Sequence, residues 1–319
     1  MRDEIRSDIE RICTNVVWQE PMARHTTFKI GGPAECFVSP SSAEGLISIV
    51  SYCDKNNIPF YVVGNGSNLL VSDGGIDGVV IHVGKDYGKI SMWDGRREYL
   101  GCEVHFTRDM ETKNIIAAQS GAALSAISAF ALKQSLTGME FASGIPGSLG
   151  GGLIMNAGAY DGEISQVCAG SVIYDVPSGR TAFLSSEEQE FGYRTSIYQK
   201  KEYIVLMGFF ALESGNPEDI RNKINDFTAR RKEKQPIEMP SAGSTFKRPK
   251  GAYAAKLIEE CGLKGTSVGG AQVSAKHSGF IVNTGNATCS DVLSLIGRVQ
   301  ATVEEKTGFK LEPEVKIIR

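Results

Sequence analysis

The sequence lacks a long apolar run, a cysteine cluster and an excess of either charge, and each absence removes a class of protein. The longest apolar stretch runs from about Tyr203 to Leu212, far short of the ~20 residues that span a bilayer. The opening Met1-Arg2-Asp3-Glu4-Ile5-Arg6-Ser7-Asp8 carries charges where a secretory signal needs an apolar core. Together these predict a soluble, cytoplasmic protein with no membrane partner. The net charge is -3, with no long run of one sign. That argues against the basic stripe with which nucleic-acid binders release counterions from phosphate. Seven cysteines, at 13, 36, 53, 102, 168, 261 and 289, are scattered without a Cys-x-x-Cys. An odd, unclustered set predicts reduced thiols, with no disulfide framework and no zinc site. Only four histidines occur, none close to another, so no metal centre is expected. Internal repeats and low-complexity linkers are also missing.

What is there is an ordinary globular composition of 41% hydrophobic and 22% charged residues. At 319 residues the chain exceeds the ~250–300 residues at which single cores stop growing, so two or three subdomains are expected. The spacing of Leu46, Ile49, Val50 and Cys53 predicts a helix over 42–56, capped by Ser42. Phe60-Tyr61-Val62-Val63 and Val79 to Val83 read as strands, giving a small α/β unit at the start. A helix is expected near 122–135, and strands at 170–176 and 202–212. Residues 216–234 form a helix with Asn216 as cap, Pro217 in the first turn and acidic residues at its positive end. Arg230, Arg231, Lys232 and Lys234 crowd its negative end, where the bland reading is a complement to the helix dipole. A helix at 252–261 should stop at Gly262, strands follow near 271–275 and 280–282, and a last helix starts at Thr288-x-x-Asp291 and ends at Gly308. Residues 314–319 read as a final strand.

Two glycine-rich segments stand out. Gly64-Asn65-Gly66-Ser67-Asn68 follows a strand, but Leu69 occupies the third-glycine position of a dinucleotide fingerprint, and Leu69-Leu70-Val71 looks like more strand. A Rossmann reading is therefore rejected, and what remains is a turn with exposed N–H groups, able to nest a pyrophosphate. The stretch Ser143-Gly144-Ile145-Pro146-Gly147-Ser148-Leu149-Gly150-Gly151-Gly152 is half glycine. Such density costs entropy and usually marks close approach by another backbone or a ligand. No Gly-Lys-Ser/Thr follows, so it is no Walker loop. Gly265-Thr266-Ser267-Val268-Gly269 matches a nucleophile elbow in letters only. A helix end precedes it, a strand follows it, and no distant His–Asp pair is in order.

Taken in order, these segments resemble the bacterial UDP-N-acetylenolpyruvoylglucosamine reductases. The resemblance is carried by His25-Thr26-Thr27-Phe28-Lys29-Ile30-Gly31-Gly32-Pro33, Gly64 to Leu70, Gly144 to Gly151 and Met155-Asn156-Ala157-Gly158-Ala159-Tyr160. Tyr193-Arg194, Ala242-Gly243-Ser244 and Pro313-Glu314-Val315 complete it, and it spans roughly 21 to 318. It implies the vanillyl-alcohol-oxidase-type (PCMH-like) FAD fold, α/β and α+β in class. Residues 1–85 with 309–319, and 86–215, would be the two FAD-binding subdomains, and 216–308 the substrate-binding domain. It implies non-covalent FAD held by Gly64, Asn65, Gly66, Ser67 and Asn68 and by Ile145, Gly147, Ser148, Gly150 and Gly151.

The implied reaction runs in two halves. NADPH reduces FAD, and hydride then passes to the enolpyruvyl group of UDP-N-acetylglucosamine-enolpyruvate, giving UDP-N-acetylmuramate for peptidoglycan synthesis, with its links to cell shape, cell cycle and division. Negative charge develops as an enediolate, and a carbon must take a proton. By family position Arg194 stabilises the enediolate, Ser244 delivers the proton, and Glu314 assists, which requires it to hold or share a proton. Tyr193, Arg231, Lys234, Lys276 and His277 are candidate substrate contacts. Ser244 follows Arg194 by 50 positions, resembling the shorter class that lacks an inserted segment with a substrate-clamping tyrosine. A monomer is expected. The competing readings are another flavin oxidoreductase acting on an alcohol or sugar, and a flavin-binding sensor without turnover. An oxidase has no use for a proton donor to carbon.

Overall fold

Helix ends fall where the capping side chains set them. Ser42 Oγ accepts from Gly45 N at 3.0 Å and starts the Ala43–Lys55 helix. Asn216 Oδ1 accepts from Glu218 N at 2.8 Å at the start of Pro217–Lys234. The last helix, Cys289–Thr307, carries a full capping box, Thr288 and Asp291 each accepting from the other's N–H, and stops at Gly308 with φ 75°. Gly262, also at φ 75°, follows the Ala254–Glu260 helix. The structure is a computed structural model that describes all 319 residues, save the side chains of Arg108 and Glu111.

The chain divides into two units, each assembled from separated segments. The first comprises Met1–Val17, Phe37–Asn65 and Val79–Ala229, and the second Trp18–Cys36, Gly66–Gly78 and Arg230–Arg319.

Unit 1 is built on an antiparallel sheet in the order Arg180–Ser185, Cys168–Asp175, Tyr203–Ser214, Asn114–Gln119, Ile90–Met92, with Leu136–Thr137 also pairing to Tyr203–Ser214. The longest apolar run of the sequence is thus the sheet's middle strand. Its residues Val205 to Leu212 are all buried, so both faces are covered and the usual alternation disappears. Ile116, Phe210, Leu124, Leu149 and Leu153 are fully buried in this unit's core. A parallel pair, Phe60 against Val79 through Val63 against His82, lies in the same unit.

The helix Leu149–Ile154 was not foreseen, because Leu-Gly-Gly-Gly-Leu-Ile has poor helix propensity. Packing overrides it: Leu149 and Leu153, one turn apart, are both fully buried. A Cβ on Gly152 would lie 3.0 Å from the side chains of Leu124 and Ile164, so the glycine permits the close approach. The Asp3–Ile12 helix and the strands Asn114–Gln119 and Arg180–Ser185 were also unassigned from sequence.

Unit 2 carries an antiparallel sheet in the order Ser241–Ser244, Phe280–Asn283, Ala271–Val273, Ser267–Val268. The expected strand over 271–275 is cut short because Ser274 Oγ accepts from both Lys276 N and His277 N, forming a turn. Lys316–Ile318 pairs in parallel with Leu69–Val71. Phe28, Leu70, Ile258, Ile281, Leu295 and Val299 share one core, so the His25-to-Pro33 motif and the C-terminal segments belong to the same unit.

Candidate functional site

In unit 1 the two glycine-rich segments meet. A Cβ on Gly64 would lie 2.0 Å from Ser148 Oγ, and Asn65 Nδ2 donates to Pro146 O at 3.0 Å. Gly147 O accepts from Leu124 N, while Leu149 N and Gly150 N donate to Ala122 O and Ser120 O, so the stretch is strapped to the chain around 120–124. Ile145 N closes on Ala142 O. Gly151 is exposed, with only Ser148 Oγ within 4 Å of its would-be Cβ.

Two hydroxyls here are buried with no protein partner among the described residues, Ser120 Oγ and Ser143 Oγ. A buried hydroxyl left unpaired costs about 1–3 kcal/mol, so each marks a point where the packing leaves a polar group unsatisfied. The glycine-rich stretch offers side-chain-free backbone, which fits close approach by the phosphate oxygens of a nucleotide such as FAD. Sequence reading named the glycines but missed Ser120, which lies outside the glycine-rich stretch.

Gly66, Ser67 and Asn68 fall in unit 2. Gly66 has φ 61°, and its would-be Cβ would sit 2.0 Å from His25 O. Its own carbonyl accepts from Thr27 N at 3.3 Å. Asn68 Nδ2 donates to Glu314 O at 3.2 Å, and Lys316 N donates to Asn68 O at 2.9 Å. Glu314 N in turn donates to Thr245 O at 2.8 Å. Ser244 and Glu314, far apart in sequence, are therefore brought together through Thr245. Ser244 is exposed, opposite Phe280 in the sheet, after Gly243 at φ 75°. Glu314 is half-buried.

Arg194 lies in unit 1, in a tight turn closed by Gly192 N to Thr195 O at 3.0 Å and Thr195 N to Gly192 O at 3.3 Å. Its φ is 55°, in the left-handed region. A guanidinium N–H donates to Gly158 O at 3.3 Å, and the group lies 5.2 Å from the ring centre of exposed Tyr193. Asn156 Nδ2 donates to Gly192 O at 3.1 Å, and Gln199 Nε2 to Arg194 O at 3.0 Å. Asn156 was noticed in its motif without a role, and Gln199 gave no signal at all.

The other candidates divide. Lys276 Nζ donates to Lys232 O at 2.7 Å and lies 3.5 Å from Glu238, so it caps the Pro217–Lys234 helix. Lys234 is exposed in that helix's last turn and Arg231 is half-buried. His277 Nδ1 accepts from Gly279 N at 3.2 Å, which leaves the proton on Nε2. Burial, ahead of all other causes, lowers its pKa and keeps the ring neutral at neutral pH. Among the described residues no cluster of three or more His, Cys, Asp or Glu side chains is arranged to hold a metal. Among the described residues no cysteine is in a disulfide, and all seven are buried. Among the described residues no helix is long and apolar enough to cross a membrane.

Comparison with known proteins bears on both units. Residues 34–184 match an FAD-binding domain family, and residues 235–318 match the C-terminal domain of UDP-N-acetylenolpyruvoylglucosamine reductase. The chain is 50% identical over 299 residues to UDP-N-acetylenolpyruvoylglucosamine reductase of Caldanaerobacter subterraneus subsp. tengcongensis, covering 94% of this chain and 92% of that protein. It is 47% identical over 311 residues to the protein of that name from Clostridium novyi, covering 98% and 93%. The crystal structure of UDP-N-acetylenolpyruvylglucosamine reductase from Thermus caldophilus is similar in fold, with a TM-score of 0.75 and 31% identity over 96% of this chain and 98% of that one.

Proposed function

The chain belongs to the UDP-N-acetylenolpyruvoylglucosamine reductase family, and on that premise we propose that it reduces the enolpyruvyl group of UDP-N-acetylglucosamine-enolpyruvate with NADPH, yielding UDP-N-acetylmuramate for peptidoglycan synthesis. The observation that carries the flavin part is the close approach of the two glycine-rich segments, Gly64 against Ser148 and Asn65 Nδ2 on Pro146 O, within the region 34–184 that matches an FAD-binding domain family. FAD, when bound, supplies a hydride carrier between NADPH and the enolpyruvyl carbon. Gly64, Asn65, Gly66, Ser67 and Asn68 would hold it, with Ile145, Gly147, Ser148, Gly150 and Gly151. A flavin oxidase acting on an alcohol or sugar is not favoured, since the full-length similarity is to the reductases.

The chain's own groups meet the remaining chemical demands. Arg194 offers a planar cation to the enediolate, where donors aimed at developing charge act most strongly. Ser244 delivers a proton to carbon. A serine hydroxyl is a poor acid, so this works only against a strongly basic centre from which water is excluded. Glu314 assists in its protonated form, since a carboxylate beside the enediolate would repel it. Tyr193, Arg231 and Lys234 contact the nucleotide sugar. Lys276 and His277 are further candidate contacts, the first held at Lys232 O and the second, neutral, at Gly279 N.

We read residues 1–85 with 309–319, and 86–215, as FAD-binding subdomains, and 216–308 as the substrate-binding domain. The pairing of Lys316–Ile318 with Leu69–Val71 supports the discontinuous first part. The protein acts in the cytoplasm as a monomer, and bears on cell shape and division through wall synthesis. The test is a visible spectrum of the purified protein, first alone, then with anaerobic NADPH, then with the enolpyruvyl nucleotide sugar. A flavin spectrum that bleaches and returns is the expected result. Bleaching without return, or no flavin after reconstitution, contradicts it.

A further inference from the structure

We propose that Asn156 and Gln199 are positioning residues for Arg194, holding its turn in a left-handed conformation so that the guanidinium is set before substrate arrives. This rests on the reading of Arg194 as the cation of the reaction. Arg194 occupies the third position of the four-residue Gly192–Thr195 turn with φ 55°. That is where a turn of this kind ordinarily takes glycine. An arginine persists there only if its surroundings over-determine the conformation, and such outliers gather at functional sites.

The surroundings are specific. Asn156 is 1% exposed, and both ends of its amide are bonded, one of them to the turn. Its Nδ2 donates to Gly192 O at 3.1 Å, and its Oδ1 accepts from Ser165 N at 2.9 Å. It is itself left-handed, at φ 41°. Gln199 Nε2 bridges two carbonyls, Arg194 O at 3.0 Å and Ile154 O at 2.8 Å. Ser196 Oγ, fully buried, reaches the same Ile154 O at 2.8 Å. Both ends of the turn are thus tied to the chain just after the glycine-rich helix Leu149–Ile154. The guanidinium contact to Gly158 O completes the tie. A cation held this way pays little reorganisation when charge develops beside it.

The test separates positioning from plain structural support. Gln199→Met keeps the length of the side chain and removes its donors. Hydrogen exchange should show faster exchange at the Gly192 and Thr195 amides, with or without flavin bound. In anaerobic stopped flow, bleaching by NADPH should stay within about twofold of wild type. Reoxidation by the enolpyruvyl nucleotide sugar should slow by about tenfold, the scale of a sub-ångström misplacement. In an Arg194→Ala background the same change should add less than about twofold, since the residue acts through Arg194. Equal slowing of both half-reactions, unchanged reoxidation, or full additivity with a slow Arg194→Ala would overturn the positioning role alone. Wild-type reoxidation by Arg194→Ala would instead remove the reading of Arg194 and this inference with it. If Gln199→Met does not fold, Asn156→Asp carries the same cycle, because it keeps the acceptor for Ser165 N and loses the donor to Gly192 O.

Discussion

In unit 1 the turn bearing Arg194 hangs from side chains: Asn156 holds Gly192 O and Gln199 holds Arg194 O. In unit 2 Ser244 and Glu314 stand on the main chain. Ser244 pairs across the sheet with Phe280, and Glu314 N bonds Thr245 O. The difference decides where each group is vulnerable. A ladder position survives most side-chain changes except its own, whereas a clamped turn also answers to residues that never touch substrate.

The largest effect separates reacting groups from supports. Arg194→Ala and Ser244→Ala should each lower turnover about 10²–10³-fold, as loss of one charge-stabilising or proton-transfer group does. Steady-state rates at saturating substrate check this. Next in size is Glu314. If its neutral form is the working one, Glu314→Gln should stay within about tenfold of wild type while Glu314→Ala loses about 10²-fold. Equal losses would count against a protonated Glu314.

Glycine substitutions sharpen the comparison further. Gly66→Ala meets a backbone carbonyl, His25 O, 2.0 Å from the new Cβ at φ 61°. It should destabilise by about 2–3 kcal/mol, combining overpacking with left-handed strain. Gly64→Ala meets Ser148 Oγ at 2.0 Å, which can rotate away, and Ser148 Cβ at 3.1 Å, which must give slightly. It should cost about 1 kcal/mol, with weaker FAD retention as the main readout. Urea melts and flavin content distinguish the two.

The smallest effect concerns His277. Burial lowers its folded pKa below the ordinary 6.5. Below 6.5 the unfolded chain binds a proton that the folded one refuses, so the histidine's contribution is full above that pH and is lost as the pH falls through the folded value. Thermal melts of wild type should therefore drop between pH 7 and 5 more than those of His277→Gln. Parallel curves would remove the histidine from the acid response.

Much of this arrangement was legible in the sequence because it rests on local rules. Ser42, Asn216, Thr288 with Asp291, and Gly262 and Gly308 mark helix ends by chemistry that acts within one turn. The meeting of the glycine segments was legible only as a demand for close approach. What filled it, Ser148 against Gly64, is tertiary. The helix Leu149–Ile154 went unseen because two buried leucines outweigh three glycines, and burial is not local. Asn156 and Gln199 were opaque for the same reason: each is defined by carbonyls contributed from elsewhere in the chain. The proposed reaction residues Arg194, Ser244 and Glu314 are suggested only by the family resemblance, since a single arginine, serine or glutamate carries no spacing signal.

The central proposal is that Arg194 and Ser244 serve the same half of the reaction. The measurement that tests it most directly is anaerobic stopped flow on Arg194→Ala and Ser244→Ala, each loaded with FAD. Both should bleach with NADPH at a rate close to wild type and then fail to regain the oxidised spectrum when the enolpyruvyl nucleotide sugar is added. Reoxidation at the wild-type rate in either variant would contradict the account.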